Sequence, residues 1–302
     1  MVVYELKTMQ RCEIKENTVV ALGTFDGCHR GHCAVLQSAF YKAKEMKIKS
    51  VAYTFDTAET KGQALIMTLE EKIKAISKMG IDYIAIEELN NVRSLGGEEF
   101  VQGVLFGSLK ARAAVCGSNY RFGRGAGCNT EDLKKFFENN GGCVVICPDV
   151  LHENDPVSST LIRNKIENGQ IEDILSYSRP YSIYAMVEKG KGLGNTFGFA
   201  TINQKIPNGK VIPKRGVYIT ECEIGEDVYP SVTNVGYRPT TDGENELLNV
   251  ETHIIGYQGS LYSSYLRVNF YKYLRSEKRF DSIEELRAQI EEDKLKAIEY
   301  FK

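Results

Sequence analysis

Strand-like and helix-like segments alternate along the first 150 residues of this chain, and no other feature restricts its fold as much. Short apolar runs at 18–22, 50–55, 83–86, 111–116 and 143–147 have the length of strands. Between them lie segments with helical spacing or helix signals, at 31–46, 68–78, 98–106 and 130–139. The helix at 68–78 opens on Thr68-Leu-Glu-Glu71, where a hydroxyl and a carboxylate three residues apart can satisfy each other's backbone amides. The one at 130–139 closes at Gly141-Gly142, and a further helix at 158–168 closes at Gly169. Strands joined through helices run parallel, so the expectation is a parallel sheet with helices on both faces.

After Arg179-Pro180 the texture changes. The runs 181–189, 216–224, 228–235, 250–255 and 266–274 are short, strand-like and separated by turn residues, as in a small antiparallel barrel. The tail reverts to helix at Ser282-Ile-Glu-Glu285, with Ile283, Leu286, Ile290, Ala297 and Ile298 expected on one face. A boundary near residue 180 follows, with domains 1–180 and 181–302. At 302 residues there is chain enough for two cores.

Composition narrows the function classes. A net charge of -2 argues against a polyanion scaffold, so no nucleic-acid partner is expected. No segment approaches the length of a membrane span and residues 1–7 have no apolar leader core, so no membrane association is expected and the compartment is read as cytoplasmic. The eight cysteines contain no C-x-x-C pair and sit largely in apolar runs, which favours small packed side chains over zinc ligands or disulfides. Cys28 is read the same way, although its place in a glycine turn would also suit a reactive thiol.

Three motifs carry chemistry. The first strand runs directly into Gly23-Thr-Phe25-Asp26-Gly27-Cys-His29-Arg-Gly31-His32. Glycines permit a tight turn and close approach of a ligand, and two imidazoles at a helix start can donate to triphosphate oxygens. Lone loop histidines are usually solvated or structural, but two within four positions of a glycine cluster favour a site. Next, Ser158-Ser159-Thr160-Leu-Ile-Arg163 places hydroxyls and a guanidinium at a helix start. Alone it would be an ordinary N-cap. The third, Gly117-Ser-Asn119-Tyr120-Arg-Phe122-Gly123, follows a strand end, where open α/β sheets bind ligands; a packed loop is an equal reading.

Taken in order, these residues resemble the bifunctional riboflavin kinase/FMN adenylyltransferases of prokaryotes. The likeness continues through Thr201-Ile-Asn203, Gly216-Val-Tyr218, Asn234-Val-Gly-Tyr-Arg238-Pro-Thr240, Val250-Glu251-Thr-His253 and Leu274-Arg-Ser-Glu277-Lys-Arg-Phe280. It implies an α/β plus all-β architecture: a Rossmann-like nucleotidyltransferase domain, then a small antiparallel β-barrel riboflavin kinase domain with a C-terminal helix. It also implies two reactions, riboflavin with ATP giving FMN, and FMN with ATP giving FAD and pyrophosphate, both with Mg²⁺. Family roles then fall on matching positions. His29, His32 and Arg163 would be catalytic, and Gly23, Phe25, Asp26, Gly31, Ser158, Ser159 and Thr160 would bind ATP. Asn119, Tyr120, Phe122 and Arg238 would bind flavin, Thr201 and Asn203 would hold the metal, and Glu251 would be the base toward the flavin hydroxyl.

The chain departs from the family pattern in places. Thr57-Ala58-Glu59 stands where the family carries Pro-His-Pro, Ala200 replaces a proline, and Thr241 replaces an aromatic residue. The glycine-rich segment reads Gly190-Lys-Gly-Leu193-Gly-Asn195 without its usual arginines, leaving Lys189 and Lys191 as substitutes. An adenylyltransferase with a weak or inactive kinase half, a nucleotidyltransferase for another phosphate ester, and a flavin-sensing protein stay open on the residues alone. Oligomeric state is not legible.

Overall fold

A computed structural model describes residues 1–6, 14–56, 63–188, 201–239 and 246–302. The chain forms two compact units, Met1–Ser159 and Thr160–Lys302. That division falls well before the change of texture at Arg179-Pro180, because the helix starting at Ser159 belongs with the second unit from Thr160 onward. Residues 57–59, Lys189, Lys191, Leu193, Asn195, Ala200, Thr240 and Thr241 lie outside the described residues, as does the side chain of Arg238.

In the first unit, β1 (Val2–Leu6), β2 (Thr18–Leu22), β3 (Lys49–Asp56), β4 (Tyr83–Glu88), β5 (Ala111–Gly117) and β6 (Cys143–Cys147) form one parallel sheet in the order β1-β4-β3-β2-β5-β6. All five residues of β2 are buried, as a central parallel strand covered on both faces requires. Alternation along the strands feeds two cores. Val20, Leu22, Tyr53 and Ala85 pack with Phe100, Leu105 and Phe137 on one face. Val19, Ala21, Ala52 and Ile84 pack with Leu36, Ala39 and Ile76 on the other. Each fully buried aliphatic side chain of this kind contributes about 1.5–3 kcal/mol. The chain leaves β2 toward β3 and β4, then returns to β2's other flank at β5, so strand order reverses between β2 and β5. In such sheets that reversal opens a crevice at the strands' C-terminal ends.

Helices α1 (Arg30–Met46), α2 (Leu69–Ser77) and α3 (Thr130–Glu138) lie at the expected places. Thr68 and Glu71 close a complete capping box on α2. The expected helix at 98–106 is instead a short α-turn, Gly97–Glu99, followed by a π-helix, Phe100–Ser108. Its wide turn is visible where Leu109 N donates to Val104 O, five residues back. Two further elements fall where the sequence showed no strand: the edge strand β1, and a small hairpin of β7 (Leu151–His152) and β8 (Asp155–Pro156).

The second unit begins within α4 (Ser159–Glu167). It continues through β9 (Tyr181–Met186), β10 (Thr201–Gln204), β11 (Gly216–Ile224), β12 (Asp227–Pro239), β13 (Glu246–Ile254) and β14 (Tyr265–Arg275). These strands form an antiparallel half-barrel in the order β10-β13-β12-β11-β14-β9. A chain of hydroxyls crosses its interior: Thr220 to Thr233 at 2.7 Å and Thr233 to Thr252 at 2.9 Å, all three buried. The terminal helix, α5 (Ile283–Tyr300), starts as expected, with Ser282 Oγ accepting from Glu285 N. The Glu285 carboxylate accepts from Asp281 N, so only half of the reciprocal cap forms. Of the apolar row expected, Ala297 is buried and Leu286, Ile290 and Ile298 are half-buried, while Ile283 is exposed; Asp293 joins that face, buried against the Arg275 guanidinium at 2.7 Å. A buried carboxylate is tolerable there because a bidentate arginine neutralises it.

Candidate functional site

The loop after β2 lies at the strand-order reversal, and its backbone is unusually bent. Phe25, Gly27 and Cys28 all have positive φ, at 51°, 84° and 40°. Gly23 is required because a Cβ there would come within 2.8 Å of the Phe25 ring folded back over it. His29 then caps α1: its backbone is extended and its Nδ1 accepts from His32 N at 3.4 Å. At Gly31 a Cβ would crowd the His29 ring at 3.1 Å, so glycine leaves room for the imidazole over the first turn. The His29 and His32 rings stack with centroids 3.7 Å apart, and Phe25 meets His32 edge-on at 5.5 Å.

Burial lowers the pKa of His29 to about 4, with Asp26 opposing the shift. The ring is therefore neutral near pH 7. Since Nδ1 is an acceptor, the proton sits on Nε2, which gives His29 one N–H to offer a ligand.

Groups from three elements, β3, α4 and α1, and one thiol of the loop itself hold this loop in place. Thr54 Oγ1 donates to Thr24 O, Ser159 Oγ to Asp26 O, Cys28 Sγ to Phe25 O, and Cys33 Sγ to Cys28 O. The Asp26 carboxylate is buried and accepts from Ile66 N and Met67 N at 3.0–3.2 Å. It thus ties the loop to the segment leading into α2. Lys72, on the first turns of α2, is also buried, and its Nζ donates to Phe55 O at 2.8 Å near the end of β3. In sequence Lys72 looks like one more solvated helix lysine beside Glu70 and Glu71, so it carried no signal.

Across the reversal, β5 ends in the loop bearing Asn119, Tyr120 and Phe122. Asn119 is exposed, and Tyr120 stacks on the buried Phe122 at 5.9 Å. Phe122 in turn packs against Phe100 of the π-helix at 5.8 Å. Beneath lies Tyr53, whose buried hydroxyl has no hydrogen-bond partner among the described residues. Burial raises the pKa of both Tyr53 and the neighbouring Glu87.

In the second unit, strand register assembles residues that are far apart in sequence. Asn203 of β10 stands opposite Glu251 of β13, which stands opposite Asn234 of β12. Thr201 pairs with His253 two residues along. Asn249 Nδ2 donates to Asn203 Oδ1 at 2.9 Å. Asn234 Nδ2 donates to Glu277 Oε1 at 3.4 Å, and Arg215 donates twice to Glu277 Oε2. Thr201, Asn203 and Glu251 thus carry a hydroxyl, an amide and a carboxylate at neighbouring register positions of two adjacent strands.

Of the residues singled out in sequence, Gly23, Phe25, Asp26, His29, Gly31, His32 and Ser159 therefore fall in one cluster in the first unit. Ser158 adjoins it in sequence, while Thr160 is exposed, and both Thr160 and Arg163 belong to the second unit. Asn119, Tyr120 and Phe122 flank the cluster on the β5 side. Thr201, Asn203 and Glu251 come together on β10 and β13. Lys72, Asn234, Asn249 and Glu277 were not foreseen as site residues; of these, Asn234 and Glu277 did lie in segments matching the family.

A parallel sheet with a helix start and paired imidazoles at its strand-order reversal defines a nucleotide-binding α/β protein, here joined to an antiparallel half-barrel. Residues 11–161 match the FAD synthetase family and residues 177–301 the riboflavin kinase family. The chain is 32% identical over 301 residues to the bifunctional riboflavin kinase/FMN adenylyltransferase of Bacillus subtilis, covering 96% of this chain and 94% of that one. It is 30% identical to the Escherichia coli K12 protein of the same name, covering 95% and 94%. A crystal structure described as a macrolide-efflux protein from Streptococcus pneumoniae superposes with a TM-score of 0.84 at 27% identity, covering 97% of each chain. Among the described residues no helix is long and apolar enough to cross a membrane. The chain belongs to the bifunctional riboflavin kinase/FMN adenylyltransferase family, with a domain for each of the two activities of flavin cofactor biosynthesis.

Proposed function

We propose that the histidine loop of the first unit carries FMN adenylylation and that the Asn203–Glu251 pair of the second carries riboflavin phosphorylation. The stacked His29–His32 pair at the start of α1 is the observation that supports the first assignment most directly. In that step an FMN phosphate oxygen attacks the α-phosphorus of ATP and pyrophosphate leaves. Charge builds on the leaving group, and fixed N–H donors beside it stabilise that charge without reorganising. His29, neutral with its proton on Nε2, is such a donor. Gly23, Phe25, Asp26 and Gly31 shape the loop, and Ser158, Ser159, Thr160 and Arg163 are assigned to ATP by their match to the family's serine-arginine motif. Asn119, Tyr120 and Phe122 take the flavin in this unit, and Arg238 takes it in the other.

In the kinase half, Glu251 accepts the proton of the riboflavin 5′-hydroxyl as that oxygen attacks the γ-phosphorus of ATP, the bond to the β,γ-bridging oxygen breaks and ADP leaves. Thr201 and Asn203 would hold Mg²⁺, which screens phosphate charge when bound. Their oxygens suit a cation that keeps several waters and phosphate oxygens in its own shell. Both steps draw on ATP, and we place the work in the cytoplasm. Riboflavin with MgATP should yield FMN and FAD in one mixture, and FMN with MgATP should yield FAD and pyrophosphate. FAD from FMN with no product from riboflavin would remove the kinase assignment.

A further inference from the structure

Lysine is almost never fully buried without a partner, because its ammonium loses its hydration. Lys72 is buried completely. Nζ donates to Phe55 O at 2.8 Å, and Asp26, Cys28 and Asp56 act on it electrostatically. Burial lowers its pKa, and those three neighbours oppose the shift. The backbone beneath it is firm. Lys72 N donates to Thr68 O within the completed capping box that opens α2. Just upstream, Ile66 N and Met67 N are held by the Asp26 carboxylate.

Lys72 and Asp26 therefore act as two struts. One reaches from α2 to the end of β3. The other reaches from the histidine loop back to the approach to α2. The edge they brace is the one on which His29 and His32 stand. An apolar side chain of the same length would fill the space without the desolvation cost, so packing alone does not account for a lysine here.

We propose that Lys72 is a positioning residue for adenylyl transfer: its buried ammonium fixes the end of β3 and the histidine loop as one nucleotide-facing edge, and the conversion of FMN to FAD depends on that charge. The proposal rests on the assignment of adenylylation to the histidine loop. Lys72 is buried behind the loop rather than facing the substrate. It acts through the geometry of the loop and through a positive charge placed behind the site where pyrophosphate develops.

The full chain supplies its own control, because riboflavin phosphorylation reports on the second unit in the same preparation. Lys72→Met should lower kcat for FAD formation by about 30-fold or more, with KM for ATP changed by less than about threefold, in line with loss of a group acting chiefly in the transition state. Riboflavin phosphorylation should stay within about twofold of wild type, whereas the melting temperature should fall, since the Phe55 carbonyl loses its donor and Asp26 a buried positive neighbour. Lys72→Arg, which keeps the charge, should exceed Lys72→Met by about tenfold in FAD formation. A Lys72→Met chain that forms FAD within about threefold of wild type would overturn the proposal, as would an arginine variant no faster than the methionine one. Should Lys72→Met melt early, Lys72→Gln and Lys72→Arg are compared at a temperature where both are folded. A clear advantage for arginine supports the role of charge, and equal rates reject it. A wild-type chain that makes no FAD removes the parent assignment and this role together. Wild-type turnover with an equally active Lys72→Met removes Lys72 alone.

Discussion

The imidazoles of His29 and His32 lie nearly parallel, 22° apart, with His29 Nδ1 accepting the His32 backbone N–H. One hydrogen bond thereby caps the helix and selects the tautomer, which leaves the remaining N–H on Nε2. Burial reinforces the arrangement by keeping His29 uncharged until a phosphate arrives.

That neutrality has a consequence for stability. The pKa of His29 is about 4 in the folded protein against 6.5 when exposed. The unfolded chain thus binds the proton more readily, and its stabilisation by acid is felt between these two values. Stability should be full above about pH 6.5 and fall as pH drops toward 4, by at most about 3.4 kcal/mol from this group. Below pH 4 this contribution should level off. Melting curves of wild type and His29→Gln across pH 4–7 check it, since the variant should show a shallower acid dependence.

Asp26→Asn tests the strut beneath the loop. The carboxylate accepts from two backbone amides, and a mis-turned amide would present N–H to N–H. The expected loss is about 1–3 kcal/mol, read as a lower denaturant midpoint. A midpoint unchanged within error would mean that the segment at Ile66 and Met67 is held by other groups.

Glu251→Gln separates the two halves. It should cut riboflavin phosphorylation by about 100-fold or more while FMN adenylylation is unaffected, as for loss of a general base. Product separation from riboflavin and from FMN, run side by side, reads both. Equal loss of both activities would count against a base confined to the second unit.

Thr233→Val tests the hydroxyl chain inside the half-barrel. Thr233 sits between Thr220 and Thr252, and valine keeps its shape while removing the shared oxygen. Two buried hydroxyls lose this partner, for an expected cost of about 1–3 kcal/mol in unfolding free energy. Denaturant unfolding followed in the second unit measures it.

Local chemistry was legible in the sequence, and spatial chemistry was not. Gly23 and Gly31 announce themselves because each exists to clear a neighbouring ring within two residues. The β/α alternation and both helix starts, Thr68 and Ser282, are likewise short-range signals. Glu251 was named through family likeness, but its pairing with Asn203 and Asn234 is a matter of strand register, which sequence spacing does not carry. Lys72 was hidden for a different reason. Its neighbours in sequence are those of a solvated helix, and only packing of α2 against β3 buries it. The π-helix at Phe100–Ser108 has the sequence of an ordinary helix, because a widened turn leaves no distinct mark on apolar spacing. Asp26, read as an ATP ligand, spends its carboxylate on the amides of Ile66 and Met67 and so shapes the loop from within.

The paired imidazoles are the centre of this account, and pyrophosphate release from FMN and MgATP tests them most directly. Replacing His32 with alanine in the full chain should slow that release by about 100-fold while riboflavin phosphorylation in the same sample stays near wild type. Release at the wild-type rate from the His32→Ala chain would contradict the assignment of adenylyl transfer to this loop.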